Sequence, residues 1–342
     1  MFKFKNKKFE KTDKFWLVDY SFFIYNYSFA KRPCPICGYK KIPDPTCTTC
    51  EGVGKVFLKN NKGEVIGGLY GVFNQIIERS NQGWKVILVF DPPKYKLDRS
   101  QLIDDYKGNR APKPQFITDQ MDIGFELFPL TNNIECYTSD TDESDDVLAT
   151  IALELAEMGH EVVVASDDKD MFPLLANDKI TLFRQKEFMN KSGFGKYMKK
   201  KYDITFTDPG RFSEFLAITG DAADNYNLIK GLGPKAAEFF LTKYKNVLDL
   251  WDDWKNIPDK YKKKLISSCE GNTCKKCTKC SLNNKETVKL IDTLETSLKL
   301  AYLNMESKYY RLENKNDFSA FHIRLTDLGL YNALKNINNF FG

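Results

Sequence analysis

Three short apolar runs in this chain each end on acid. FWLV closes on Asp19, VILVF closes on Asp91, and HEVVVAS runs into Asp167 and Asp168. Continuous apolar runs of this length, with no alternation of polar residues, read as strands buried on both faces. Separated by helical stretches, they predict an α/β fold with a mostly parallel central sheet covered by helices. Such a sheet collects its site outside the carboxyl ends of its strands, so the three runs predict acids converging on one edge. An Asp after a strand also caps a helix or opens a turn on its own account. That reading suits any one of the three and is a poor account of the set.

Five more acids extend the pattern: Glu143 and Asp145 in DESDD, Asp170 in SDDKD, Asp221 in TGD, and Asp224 three residues later. Metal chemistry on phosphates calls for this inventory. Two divalent ions about 3.5–4 Å apart need several hard oxygen ligands, and carboxylates supply them. Without metal, several of these acids should resist simultaneous ionisation. The stretch SDDVLATIALELAEM spaces Leu148, Ile151, Leu155 and Met158 by three and four, which predicts a helix with an apolar stripe toward the sheet and an acidic first turn at the site.

At 342 residues the chain can bury a large core, expected as residues 1–205 forming the α/β domain and residues 206–342 forming a helical extension. The net charge of +5 understates the basic surface, since many carboxylates belong to one site. Lysines cluster in MFKFKNKKFEK, KYMKKK and DKYKKK; such runs are usually solvated faces, but they suit a polyanionic partner. No secretory signal or membrane-spanning run is visible, which leads to the expectation of a cytoplasmic protein.

In a reducing compartment cysteines read as metal ligands rather than disulfides. Eight of nine fall in two tetrads. Cys34, Cys37, Cys47 and Cys50 form two CxxC knuckles spaced to close a tetrahedral zinc site. Cys269, Cys274, Cys277 and Cys280 are more compact; zinc is the first expectation, iron–sulfur ligation is a second, and ligands shared between tetrads are a third. Cys136 reads as a small buried hydrophobe. The two histidines, His160 and His322, neighbour no nucleophile, which turns the chemistry toward metal-activated water.

Several of these segments together carry a family resemblance. WLVDYSFFIY, LVFD, the segment from Arg99 to Arg110 ending in YKGNR, DESDD, SDDKDMFPLL and AITGDAADNYNLIKGLGPKAAEFFL follow the order and spacing of the flap endonuclease and 5′→3′ exonuclease family. The match runs from about residue 15 to about 250, and its free-standing length and YKGNR form look most like phage 5′ nucleases. The resemblance implies that Asp19, Asp91, Glu143 and Asp145 hold a first Mg²⁺ or Mn²⁺, that Asp170, Asp221 and Asp224 hold a second, and that Asp168 lies between them. It implies a helical arch over residues 95–120 in which Lys107 and Arg110 steady charge on the scissile phosphate. Tyr106 stacks on a base in that reading, and Arg99 contacts DNA. Gly231, Gly233, Pro234 and Lys235 resemble a helix-hairpin-helix that grips duplex backbone, often through K⁺.

Two features depart from the family pattern: an insertion over residues 31–58 carrying the first tetrad, and the second tetrad within the C-terminal region. Residues beyond 285 read as helices. The expectation is a two-metal, structure-specific 5′ nuclease. Its partners would be branched or nicked DNA, 5′ flaps or RNA–DNA hybrid, and replication proteins; it would act as a monomer away from membranes. A PIN-type ribonuclease and a noncatalytic zinc protein that binds DNA junctions are the alternatives.

Overall fold

The computed structural model describes residues 9–10, 12–38, 44–92, 102–103, 107–108, 110–227, 229–267 and 284–341, with backbone alone for 266, 267 and 284–291. The chain forms two compact units. Met1–Pro93, Pro112–Asp167 and Ser307–Gly342 make the first; Lys94–Ala111 and Asp168–Glu306 make the second, so residue 205 lies inside the second.

In the first unit the chain runs through β1 (Lys14–Asp19), α1 (Tyr20–Ser28), β2 (Lys31–Pro33), β3 (Lys55–Phe57), α2 (Gly67–Asn81), β4 (Lys85–Val89), α3 (Gln115–Leu127), β5 (Glu135–Thr138), α4 (Ser144–Glu157) and β6 (Glu161–Ala165). The second unit holds a 3₁₀ helix (Lys169–Ala176), β7 (Ile180–Arg184), β8 (Glu187–Met189), α5 (Lys191–Tyr202), α6 (Phe212–Thr219), α7 (Pro234–Lys243), α8 (Asp259–Ser267) and α9 (Asn284–Ala301). The chain then returns to the first unit as β9 (Tyr310–Arg311), α10 (Phe318–Leu328) and α11 (Tyr331–Lys335).

Strands of the first unit lie in the order β6-β1-β4-β5-β9. The first four are parallel and β9 is antiparallel to β5. The fold is therefore the expected helix-covered, mostly parallel sheet. Trp16 to Val18, Val86 to Val89 and Val162 to Ala165 are all buried, which explains why their sequences run apolar without alternation. The register sets Asp19 opposite Val89 and Val18 opposite Ala165, so β1, β4 and β6 finish level with one another. The chain steps from β1 to β4 to β5 and then crosses back to β6, so the strand order reverses at β1, where a crevice is expected.

Helix α4 buries more than the expected stripe. Leu148, Ile151 and Leu155 are buried and Met158 is half-buried, but Val147, Ala149, Thr150 and Ala152 are buried too. The reason is a second cover: Ser307 N–H donates to Thr150 Oγ1 at 3.0 Å and Tyr309 Oη donates to Glu154 Oε2 at 2.6 Å. The residues after 285 are thus not all helical. β9 closes the edge of the sheet, and Phe321 and Phe340 pack against Phe73 of α2.

Helix α2 begins without a side-chain cap of its own. Gln120 of α3 supplies one, accepting from Gly68 N at 2.8 Å and Leu69 N at 3.2 Å while donating to Ser28 Oγ at 3.0 Å. That buried amide satisfies orphan donors at the α2 terminus and joins three helices.

The second unit packs around aromatic rings, with Phe172 5.3 Å from Phe194 and 5.0 Å from Phe212. Ser297 Oγ donates to Ala217 O at 2.8 Å, tying α9 to α6. Among the described residues no helix is long and apolar enough to cross a membrane.

Candidate metal and nucleic-acid site

The first unit carries one group of acids at the carboxyl edge of its sheet. Asp19 ends β1 and caps α1, accepting from Phe22 N at 3.1 Å, while its other oxygen accepts from Ser166 Oγ at 3.3 Å. Asp91 lies two residues past β4 and accepts from Ser144 Oγ at 2.6 Å. Glu143 is the N-cap of α4 and Asp145 lies in its first turn, where the positive end of the helix favours anions. Asp146, beside them, is buried. Ser144 and Ser166 were not singled out from the sequence, yet each orients a candidate ligand.

The second unit gathers Asp170, Asp221 and Asp224 so that one oxygen of each lies within 4.8 Å of the others. The acids of the first unit form no such triplet among the described residues. Asp168 caps the 3₁₀ helix, accepting from Asp170 N at 2.9 Å, and so fixes the start of the segment that carries Asp170. A small bridge shapes the other side: Asp221 N donates to Tyr226 O at 2.7 Å and Tyr226 N returns to Asp221 O at 3.0 Å. Asp221 and Asp224 are buried.

Electrostatics within this triplet favour a cation. Burial and the charge of Asp168 push the Asp170 carboxyl well above the usual carboxylate range, against the pull of Lys169, with Asp221 and Asp224 adding to the rise. Asp170 Oδ1 is shielded from solvent and has no hydrogen-bond partner. Lys169 Nζ reaches Asp221 Oδ2 at 2.5 Å and Asp170 Oδ1 at 3.6 Å. Burial works to lower the Lys169 pKa, but Asp170 and Asp221 outweigh it and hold the ammonium above its ordinary value. Lys169, which was missed in the sequence, is an internal counter-cation. A KD step between two candidate ligands is the signal that could have found it.

Arg110 does not stand free. Its Nη2 meets Asp224 Oδ1 at 2.6 Å, and the Lys107 amide donates to Asp224 O at 3.1 Å. Lys107 has φ of 57° and its carbonyl accepts from Arg110 N at 3.0 Å, so these residues form a turn. Within the expected arch, helix is seen among the described residues only from Gln115 onward. Tyr106 and Arg99 lie outside the described residues.

Pro234 opens α7 as expected, with Gly233 as N-cap and Gly231 at φ of 80°, a left-handed conformation that glycine adopts without strain. Lys235 is exposed, donates to Asp203 O and lies 3.7 Å from Glu238 Oε2.

The first cysteine tetrad closes. β2 and β3 pair antiparallel at its base, and the four sulfurs lie within 4.8 Å of one another, with Cys34 to Cys47 at 3.9 Å and Cys37 to Cys50 at 3.3 Å. A tetrahedron of Zn–S bonds of 2.3 Å has edges of about 3.8 Å, so the cage fits. Gly38 is forced by close approach, because a Cβ there would sit 2.1 Å from the Cys34 nitrogen. Burial raises the Cys34 thiol pKa, yet the amides of Cys37 and Ile36 bring it down to about 7. For Cys37 the Asp44 amide pulls down, while the Cys50 thiol and burial push it up to about 12. Four cysteine sulfurs at this spacing could hold a metal ion. The second tetrad lies outside the described residues.

The histidines stay out of this chemistry. His160 is buried with Nδ1 3.1 Å from Asp13 O and packs edge-on to Phe15, and His322 stacks on Phe318. Cys136 is fully buried in β5, as expected.

Residues 52–203 match the family described as 5′-3′ exonuclease, N-terminal resolvase-like domain. A 5′-3′ exonuclease of Buchnera aphidicola (subsp. Acyrthosiphon pisum) is 30% identical over 203 residues, covering 58% of this chain and 68% of the relative. The chain belongs to the 5′→3′ exonuclease and flap endonuclease family. A flap endonuclease Xni of Cronobacter sakazakii is 27% identical to this 5′ nuclease, with 56% of the chain and 73% of the relative covered. The fold of the nuclease is that of the phage T5 5′-exonuclease bound to zinc: 19% identity, a TM-score of 0.57, and coverage of 96% of this chain and 99% of the other. A T5 flap endonuclease solved with DNA and metal ions gives a TM-score of 0.56 at 17% identity, covering 95% and 98%.

Proposed function

We propose that this 5′ nuclease is structure-specific, cutting phosphodiesters at the 5′ ends and flaps of branched or nicked DNA and in RNA–DNA hybrid, with Mg²⁺ or Mn²⁺ held by its two groups of acids. The observation that carries the metal assignment is the triplet Asp170, Asp221 and Asp224, in which one Asp170 oxygen is shielded from solvent, accepts no hydrogen bond and lies 3.6 Å from the Lys169 ammonium. Asp19, Asp91, Glu143 and Asp145 are proposed to hold a second ion. Divalent ions bound there supply positive charge to the phosphate oxygens and acidify water for attack.

The chain's own groups set up the rest. Lys169 neutralises the triplet until a divalent ion takes over that charge. Arg110 is proposed to exchange Asp224 for the scissile phosphate, joining Lys107 there, since a guanidinium that pairs with a carboxylate pairs equally well with a phosphate. Tyr106 and Arg99 are assigned to the same segment's hold on the 5′ strand. The turn at Gly231 and Gly233 and the α7 terminus with Lys235 would grip duplex backbone by amides and charge, with K⁺ as a bridging ion, which selects shape rather than sequence. Cys34, Cys37, Cys47 and Cys50 are proposed to hold a structural Zn²⁺, because four thiolates leave no open position for water; the tetrad from Cys269 to Cys280 is assigned a second.

The test is cleavage of end-labelled 5′-flap, nicked, single-stranded and RNA–DNA substrates in Mg²⁺, Mn²⁺ or chelator. Cutting near the branch that requires the divalent ion is expected. Equal cutting of all substrates, or cutting in chelator, would sink the assignment.

A further inference from the structure

Beside the cysteine knuckle the first unit has an open groove of about 440 Å³, whose walls include Lys31, Arg32, Lys55 and Lys59. All four are exposed, and none forms an ion pair among the described residues. Glu51 is the acid at the groove, leaving positive charge in excess. The base of the groove is hydrogen-bonded backbone. The β2–β3 ladder pairs Lys31 with Phe57 and Pro33 with Lys55, and Cys34 N donates to Gly54 O at 2.9 Å directly behind it.

A staple for a long loop needs the four sulfurs and the ladder; it does not need four cations without carboxylate partners around one groove. The apolar part of the lining argues for the kind of polyanion. Val53 is 60% exposed but offers no ring for a base to stack on. The ring at the groove, Phe57, is half-buried, with the Lys31 ammonium 5.0 Å from its centroid and Phe116 5.7 Å away. Single-strand surfaces combine charge with aromatic platforms; here there is charge without a free platform.

We propose that this groove binds the phosphate backbone of double-stranded DNA, giving the nuclease a hold on a duplex arm separate from its carboxylate groups and from α7. The inference rests on the reading of the chain as a DNA nuclease, and it concerns a surface that its acids do not form. Arg32 and the lysines act as point charges on phosphates, so the contact is independent of sequence and sensitive to salt.

The test is the full chain carrying Arg32→Gln, Lys55→Gln and Lys59→Gln together. Binding to a fluorescein-labelled duplex, and separately to a labelled single strand, is read by anisotropy at several KCl concentrations in Ca²⁺, with the DNA checked on a gel for integrity. Each phosphate contact on B-DNA contributes about 0.9 to the slope of log K against log salt. The triple variant should therefore lose at least about tenfold in duplex affinity and flatten the slope by roughly 2 to 3, with zinc content and melting temperature unchanged. A control neutralising Lys179, Lys315 and Lys335 should leave the slope near that of the parent. Unchanged affinity and slope, an equal effect in the control, or a loss confined to the single strand would each overturn the proposal. Binding is read without cleavage, so an inactive parent protein with the slope change intact would refute the nuclease reading and leave the groove assigned.

Discussion

Replacing Lys169 with methionine removes a cation that touches both Asp170 and Asp221 while keeping an unbranched side chain of similar length. The Lys169 and Asp221 side chains are 19% and 4% exposed and meet at 2.5 Å. Removing one partner of a pair this buried typically costs about 3–5 kcal/mol, because the other charge stays behind unpaired. Each kcal/mol moves the melting temperature by about 2–4 °C in a domain of 150–250 residues, so the metal-free variant should melt roughly 6–20 °C lower. Divalent metal should restore most of the loss, since it supplies the missing charge to the same carboxylates. The pH dependence has a definite sign. Lys169 has a raised folded pKa, so its contribution is complete below the ordinary lysine value of about 10.4 and fades only as pH climbs through the raised one. The ammonium itself therefore stays charged at neutral pH, and because Lys169 pulls the raised Asp170 pKa down, the deficit should grow as pH rises above about 4 and Asp170 ionises more readily in the parent than in the variant. Thermal melts by circular dichroism in chelator and in Mg²⁺ measure both effects. An unchanged melting temperature in chelator, or a deficit that metal leaves intact, would refute the counter-cation role.

Asp170→Asn should abolish cleavage while leaving duplex affinity within about threefold, as seen by anisotropy in Ca²⁺; near-normal turnover at high Mg²⁺ would exclude Asp170 as a ligand. In chelator the same variant should be more stable than the parent, and increasingly so as pH rises above about 4, because the parent's raised Asp170 pKa makes ionisation unfavourable in the fold. Lys107→Ala should lower the single-turnover rate by at least about 100-fold, a general size for loss of a charge-stabilising donor, whereas Lys235→Ala should mainly weaken duplex binding; a pure affinity effect at Lys107 would make it a positioning contact. Cys34→Ser should reduce zinc by about one ion per chain and lower stability more than it lowers the cleavage rate at saturating substrate; elemental analysis with melting curves checks this, and stoichiometric iron would overturn the zinc assignment.

The sheet was legible because β1, β4 and β6 are buried on both faces and so are spelled as unbroken apolar runs, and the acids after them lie at the carboxyl edge where those runs end. The first tetrad was legible for a different reason: a tetrahedral ligand set fixes sequence spacing. What escaped detection depends on distant partners. Tyr310–Arg311 becomes a strand only because β5 offers it an edge, and nothing in KYYRLEN alternates or repeats. The β7–β8 turn uses Gln185 and Lys186 at φ of 49° and 67°, where a glycine or asparagine would have signalled it. Gln120 caps a helix more than fifty residues before it, and Lys169 matters through the carboxylates it meets. In each case the residue type is ordinary and the neighbour carries the meaning.

The return of residues 307–342 to the first unit has a consequence for the order of folding during synthesis. Ser139 bonds to the carbonyl of Lys308, 169 residues further along, and Asn74 bonds to Asn332, 258 residues away. At about 5–20 residues per second, the ribosome finishes the parallel strands long before it delivers β9 and the aromatic plug of Phe321 and Phe340. For that interval β5 is an open edge and Phe73 lacks the cover of Phe321 and Phe340, so the first unit stays incomplete until its last residues emerge, whereas the last residue of the second unit, Glu306, has already been made.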